Sequence, residues 1–194
     1  MQQRRMMIAG LCVLLAAPVM AVAQGGMSAG STAAATTVSP AESLNALMDI
    51  MEGQIVPAAE AMPADKYDFA PPTTYGLFAG VRTFGQQVKH LTEANYSLYG
   101  SYGVPGAVDR KTIEALKGKD EIVDALKKSY AYAHQAIDTI TPGNAFDQVG
   151  PPQRHMTKAT LAAYGVAHSM DHYGQMVEYL RMNGIVPPAS RPKS

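Results

Sequence analysis

The chain has 194 residues, with 16 basic and 16 acidic side chains, a formal net charge of zero and 47% apolar residues. That length holds one ordinary domain or two small ones, and the apolar share is enough for a core, which excludes a wholly disordered chain. Neutral charge without any run of like charges leaves no basic field for nucleic acid and no polybasic membrane patch, while a single Cys excludes a disulfide framework or a Cys-rich zinc ribbon.

Residues 1–23 read as an export signal: Arg4 and Arg5 supply a positive start, an apolar stretch runs from Met6 to about Val19, and Ala21-Val22-Ala23 gives the small-residue cleavage pattern before Gln24. The apolar stretch is short for a membrane span of about 20 residues and ends in Pro18. Cys12 lacks the small residue expected just before a lipidated Cys. Cleavage between Ala23 and Gln24 would take away Arg4, Arg5, Cys12 and four of the twelve Met, leaving 14 basic against 16 acidic side chains and no thiol. The expected destination is periplasmic or extracellular, without a stable membrane anchor, and a Cys-free chain suits an oxidising compartment. Residues 24–38 are small and polar without periodicity, the composition of a flexible linker.

From residue 39 to about 190 the pattern predicts an all-α fold, a four-helix bundle with long inter-helix connections. Ser39-Pro40-Ala41-Glu42 opens the first helix as a capping box, followed by Leu44, Leu47, Met48, Met51, Ile55 and Ala59 at helical spacing. Pro57 should kink this helix or end it early. Residues 62–80, with Pro63, Pro71 and Pro72, read as connection. Thr83-Phe84-Gly85-Gln86 is a second capping box, and Phe84, Val88, Leu91, Asn95 and Leu98 share the inward face of the second helix. A short helical turn fits 110–117. The third long helix runs from about Lys119 to Ile140, with Val123, Leu126, Tyr130, Ala133 and Ile137 inward, and Thr141-Pro142-Gly143 stops it. The fourth is capped by Thr157 and ends at Asn183-Gly184, with Leu161, Tyr164, His168, His172, Gln175 or Met176, and Tyr179 as its inward stripe.

Five His carry the chemistry available to a neutral domain. His168 and His172, four apart on one helix, face the same way at about 5–6 Å between Cβ atoms, close enough for two imidazoles to hold one divalent ion. It is not the zinc-protease HExxH pattern, since Ser169 stands where the general-base Glu would be. A bundle metal site takes ligands from more than one helix, and periodicity leaves His90 and His134 both open as the third; His155 falls in a connection. Asp171 lies between the helical pair and is a candidate to support one imidazole, with Glu178 a second acidic neighbour on that helix. Tyr96, Tyr99 and Tyr164 are candidates for the pocket wall or for the core.

Three segments in order resemble the DinB/YfiT-like family: Ala61-Met62-Pro63 to Lys66-Tyr67-Asp68-Phe69; Val81-Arg82-Thr83-Phe84-Gly85-Gln86-Gln87-Val88-Lys89-His90-Leu91 through Asn95-Tyr96; and His168-Ser169-Met170-Asp171-His172-Tyr173-Gly174-Gln175 through Gly184-Ile185-Val186-Pro187-Pro188. The resemblance covers about residues 40–190. It implies a four-helix bundle with one His from the second helix and two from the fourth, which fall on His90, His168 and His172, and a divalent ion, zinc or nickel, as cofactor. Three protein ligands leave a coordination position for water or substrate. Some relatives are thiol-dependent transferases or isomerases; their thiols are cytosolic, whereas this chain carries an export pattern, so that role is discounted and the small-molecule substrate is left open. The expected activity is metal-dependent hydrolysis or group transfer, the alternative a non-catalytic metal- or ligand-binding bundle. No nucleic acid partner is expected, and a homodimer is left open.

Overall fold

The computed structural model describes residues 36–192; the segment expected to be an export signal, the expected cleavage point at Ala23–Gln24 and most of the expected linker lie outside them. The described residues form four long helices, α1 (Pro40–Ala61), α2 (Phe84–Tyr99), α4 (Lys119–Asp138) and α5 (Lys158–Met182), with a short α3 (Arg110–Ala115) in the connection between α2 and α4. Single 3-10 turns punctuate the other connections, and among the described residues the one β feature is a lone bridge between Gln148 and Thr157.

Local chemistry sets the helix starts. The Ser39 hydroxyl accepts the Glu42 backbone N–H at 3.1 Å, and the Glu42 carboxylate accepts the Ser39 N–H at 2.7 Å. Thr83 and Gln86 make the same reciprocal pair at the head of α2, and Thr157 with Thr160 at the head of α5. Each box satisfies two N–H groups that a helix end leaves without partners. Pro57 neither ends α1 nor prevents another turn beyond it, for α1 continues to Ala61. Met51 and Ile55 before the proline and Ala58 and Ala59 after it are all buried, so packing on both sides offsets a penalty of about 3 kcal/mol for an interior proline.

The long helices pack as a closed ring in the order α1, α4, α2, α5, each against two neighbours. Helices consecutive along the first and second halves of the chain, α1 with α2 and α4 with α5, therefore stand on diagonals. The centre is filled by fully buried Met48, Ile55, Phe84, Leu91, Tyr99, Leu126, Tyr130, Ile137, Met176 and Leu180.

Three inward assignments move. Leu47 is exposed, and on α5 the buried stripe is Ala162, Gly165, Val166, Ser169, His172, Met176, Tyr179 and Leu180, leaving Tyr164 outward and Leu161 only half-buried. The cause lies across the interface. The Tyr99 ring is fully buried and its hydroxyl donates to the Ala162 carbonyl at 3.2 Å, so α5 must present small side chains there. A Cβ on Gly165 would overlap the Tyr99 hydroxyl. Tyr99 is thus core, and so is Tyr96, which packs on Tyr132 with ring centroids 5.1 Å apart.

Candidate metal centre

The ring order decides which His can meet. α2 and α5 are neighbours, so His90 on α2 faces His168 and His172 on α5, and one ligand atom from each of the three lies within 4.8 Å of the others. The rings stand edge to face, with centroids 4.5 Å apart for His168–His172, 4.7 Å for His90–His172 and 5.2 Å for His90–His168. His134 is on α4, diagonal to α5, and cannot join them. His155 sits after a 3-10 turn in the loop before α5, in the left-handed backbone region at φ 50°.

His134 instead meets α1. Its Nδ1 lies 2.7 Å from Asn45 Oδ1 and its Nε2 3.1 Å from Glu52 Oε2, with Asp49 Oδ1 at 3.6 Å. Both ring nitrogens of His134 have protein partners, so hydrogen bonding accounts for this group without an ion. The three-His group differs on this point. His168 Nε2 is buried and makes no hydrogen bond among the described residues. A buried ring nitrogen without a partner costs about 1–3 kcal/mol, a penalty that coordination of an ion would remove.

His172 is oriented by a chain of side-chain bonds whose direction is fixed at its far end. The Asp171 carboxylate can only accept, and it takes an N–H from Gln175 Nε2 at 3.2 Å. Gln175 Oε1 therefore faces Gln87 and accepts its Nε2–H at 2.7 Å. That turns Gln87 Oε1 towards His172 Nδ1, 2.8 Å away, so the hydrogen of the neutral ring is on Nδ1 and the lone pair on Nε2. Asp171 supports the imidazole through two glutamines and not by direct contact. Gln87, 2% exposed, is the link sequence reasoning passed over. Glu178 is exposed and takes no part in this chain.

The imidazoles are held neutral. Burial, helped by the nearby Arg82 guanidinium and by the neighbouring rings, lowers His90 to about 4; burial and the His168 ring lower His172 to about 4; burial lowers His168 as well. Neutral rings with free lone pairs are what a divalent ion requires of His. Beside them opens a cavity of about 370 Å³ whose wall includes His90, His168, Tyr164, Arg82, Glu93 and Arg110. Tyr164, outward from the core, stacks on His168 with centroids 6.2 Å apart and forms part of that wall. Glu93, three residues after His90, has a largely buried carboxylate whose proton affinity burial raises, despite Arg110 at 3.7 Å. Its Oε2 is 4.0 Å from His90 Nδ1, too far for a hydrogen bond. Glu93 was also missed in the sequence, where its only signal was its place three residues along from His90.

The family model of the DinB superfamily matches residues 47–176, a span that takes in all three His. The chain belongs to the DinB superfamily. Comparison with curated proteins gives no match. Membership agrees with the helical bundle and with a His triad of this DinB chain that could hold a divalent ion. Among the described residues no helix is long and apolar enough to cross a membrane.

Proposed function

We propose that this DinB-superfamily protein binds one divalent metal ion through His90, His168 and His172 and uses it in hydrolysis or group transfer on a small molecule. The observation that carries the reading is the partnerless, buried Nε2 of His168 in a cluster with the two other imidazoles. The Nδ1–H of His172, committed to Gln87, leaves that ring's lone pair for the ion. Zinc or nickel suits an all-imidazole donor set. When bound, such an ion would supply Lewis acidity, lowering the pKa of a coordinated water towards about 7 and holding a coordinated thiol as thiolate.

The protein's own groups do the rest. The cavity beside His90 and His168 gives a small molecule access to the triad, which favours a working centre over a closed structural one. Glu93, with its raised proton affinity, is the side chain suited to take up and return a proton there. The export pattern at residues 1–23 supports a site of action outside the cytoplasm.

Metal analysis of the purified mature protein tests the reading, beside His90→Ala, His168→Ala and His172→Ala. One equivalent of metal is expected in the parent and none in the variants. Unchanged metal content in all three would refute it.

A further inference from the structure

Arg82 immediately precedes the Thr83 cap of α2, and its backbone carbonyl accepts the Tyr179 hydroxyl at 3.1 Å, which ties this point of the chain to α5. Its side chain borders the cavity that holds His90 and His168, and also a second cavity of about 380 Å³ that shares His90, Glu93 and Arg110 with the first. The other cations here are already engaged. Arg110 Nε is 2.7 Å from Glu114 and 3.7 Å from Glu93, and Lys89 Nζ donates to the carbonyls of Glu114 and Leu116 at 2.9 and 3.4 Å. The Arg82 guanidinium makes no ion pair or hydrogen bond among the described residues.

Charge at this place departs from that of the chain. Arg82, Lys89 and Arg110 stand against Glu93 and Glu114, a local excess of one positive charge, where the whole sequence balances to zero. A divalent ion on the triad would raise the excess further. Arg82 is itself exposed at the cavity wall, so its field there is partly screened by solvent. A planar guanidinium with free N–H groups matches the two oxygens of a carboxylate or the oxygens of a phosphoryl group.

We infer that the small molecule acted on here carries an oxyanion, a carboxylate or phosphoryl group, which Arg82 holds while the reacting atom meets the three-His centre. This rests on the proposed metal-binding reading and narrows its substrate to an anionic class. Arg82 is a binding and positioning residue in this scheme.

The test uses the mature protein loaded with cobalt(II), whose absorption reports a thiolate bound at the metal. Mercaptoacetate, 3-mercaptopropionate and 4-mercaptobutyrate place a carboxylate at increasing reach, and 2-mercaptoethanol is the neutral comparison. At least one of the acids should bind the parent about five-fold or more tightly than 2-mercaptoethanol, the scale of one partly screened ion pair. Arg82→Gln should abolish that preference, read as the ratio of the two Kd values within one protein, and Arg82→Lys should retain part of it. Equal affinities in the parent, or a preference that survives in Arg82→Gln, would overturn the inference. If the triad takes up no cobalt, the metal reading fails by itself, and inorganic phosphate then reads the oxyanion site directly. Backbone amide NMR shifts of residues 82–90 should move with phosphate in the parent and not in Arg82→Gln; no movement in the parent would overturn it.

Discussion

Replacing Gln87 with Leu removes the acceptor that fixes the His172 tautomer while preserving bulk at a position only 2% exposed. Two outcomes are open to the ring, and both harm the site. If the hydrogen stays on Nδ1 it is buried without a partner, at a cost of about 1–3 kcal/mol. If it moves to Nε2, the lone pair intended for the ion is lost. Loss of the group behind a metal-bound imidazole weakens metal affinity by about ten- to hundred-fold, or about 1.4–2.7 kcal/mol. Asp171→Asn acts at the exposed end of the same chain, where an amide can donate as well as accept, so the direction of the relay is no longer imposed. Its loss should be smaller, below about ten-fold. Competition with a chromophoric chelator, on proteins whose far-UV circular dichroism matches the parent, measures both. A folded Gln87→Leu protein with parental metal affinity would show that the relay through Asp171, Gln175 and Gln87 does not orient His172, and the argument from acceptor-only Asp171 would fall.

Acid should destabilise the metal-free protein. With His90 and His172 near 4 in the folded state against about 6.5 when unfolded, the unfolded chain binds more protons between these values, so stability is full above about pH 6.5 and declines towards pH 4. The slope has a ceiling of about 1.4 kcal/mol per pH unit per proton, reduced where the rings meet solvent. Urea denaturation of chelator-treated protein at pH 7 and pH 5 should show the loss, His172→Gln should lessen it, and a flat profile in the parent would contradict the burial argument. Gly165→Ala, which drives a methyl group against the buried Tyr99 hydroxyl, should cost about 1–3 kcal/mol of stability by overpacking; an unchanged midpoint would mean that Tyr99 moves aside freely. Thr83→Ala removes the hydroxyl that accepts the Gln86 N–H at 3.3 Å and should cost about 1 kcal/mol in thermal or urea unfolding, with no loss at all speaking against the cap.

What the sequence disclosed was mostly local. The caps at Ser39, Thr83 and Thr157 could be read because their partners lie three residues away, and the faces of α2 and α4 because bulky residues mark them. The buried face of α5 was displaced because Ala162 and Gly165 look unremarkable until the Tyr99 ring they accommodate is known. The His168–His172 pair followed from helical spacing. Spacing could not select His90 over His134, since that depends on α2 flanking α5 while α4 lies across from it; the likeness of the three segments to DinB-type chains supplied the choice. Gln87 and Arg82 stayed hidden for a related reason: the meaning of a buried amide or an uncommitted cation comes from groups far away in sequence.

The ring order α1, α4, α2, α5 also governs how the chain can be divided. In an up-and-down bundle, successive helices form hairpins, and each hairpin buries a seam of its own. Here α1 and α2 share no extensive face, nor do α4 and α5, so a fragment ending after α2 and one beginning at α4 each expose every apolar stripe they carry. Neither fragment should fold alone, yet each holds half of every interface the other lacks. Mixed together, the two pieces should reassemble the bundle, and metal uptake should appear only in the mixture, because His90 would arrive on one fragment and His168 with His172 on the other.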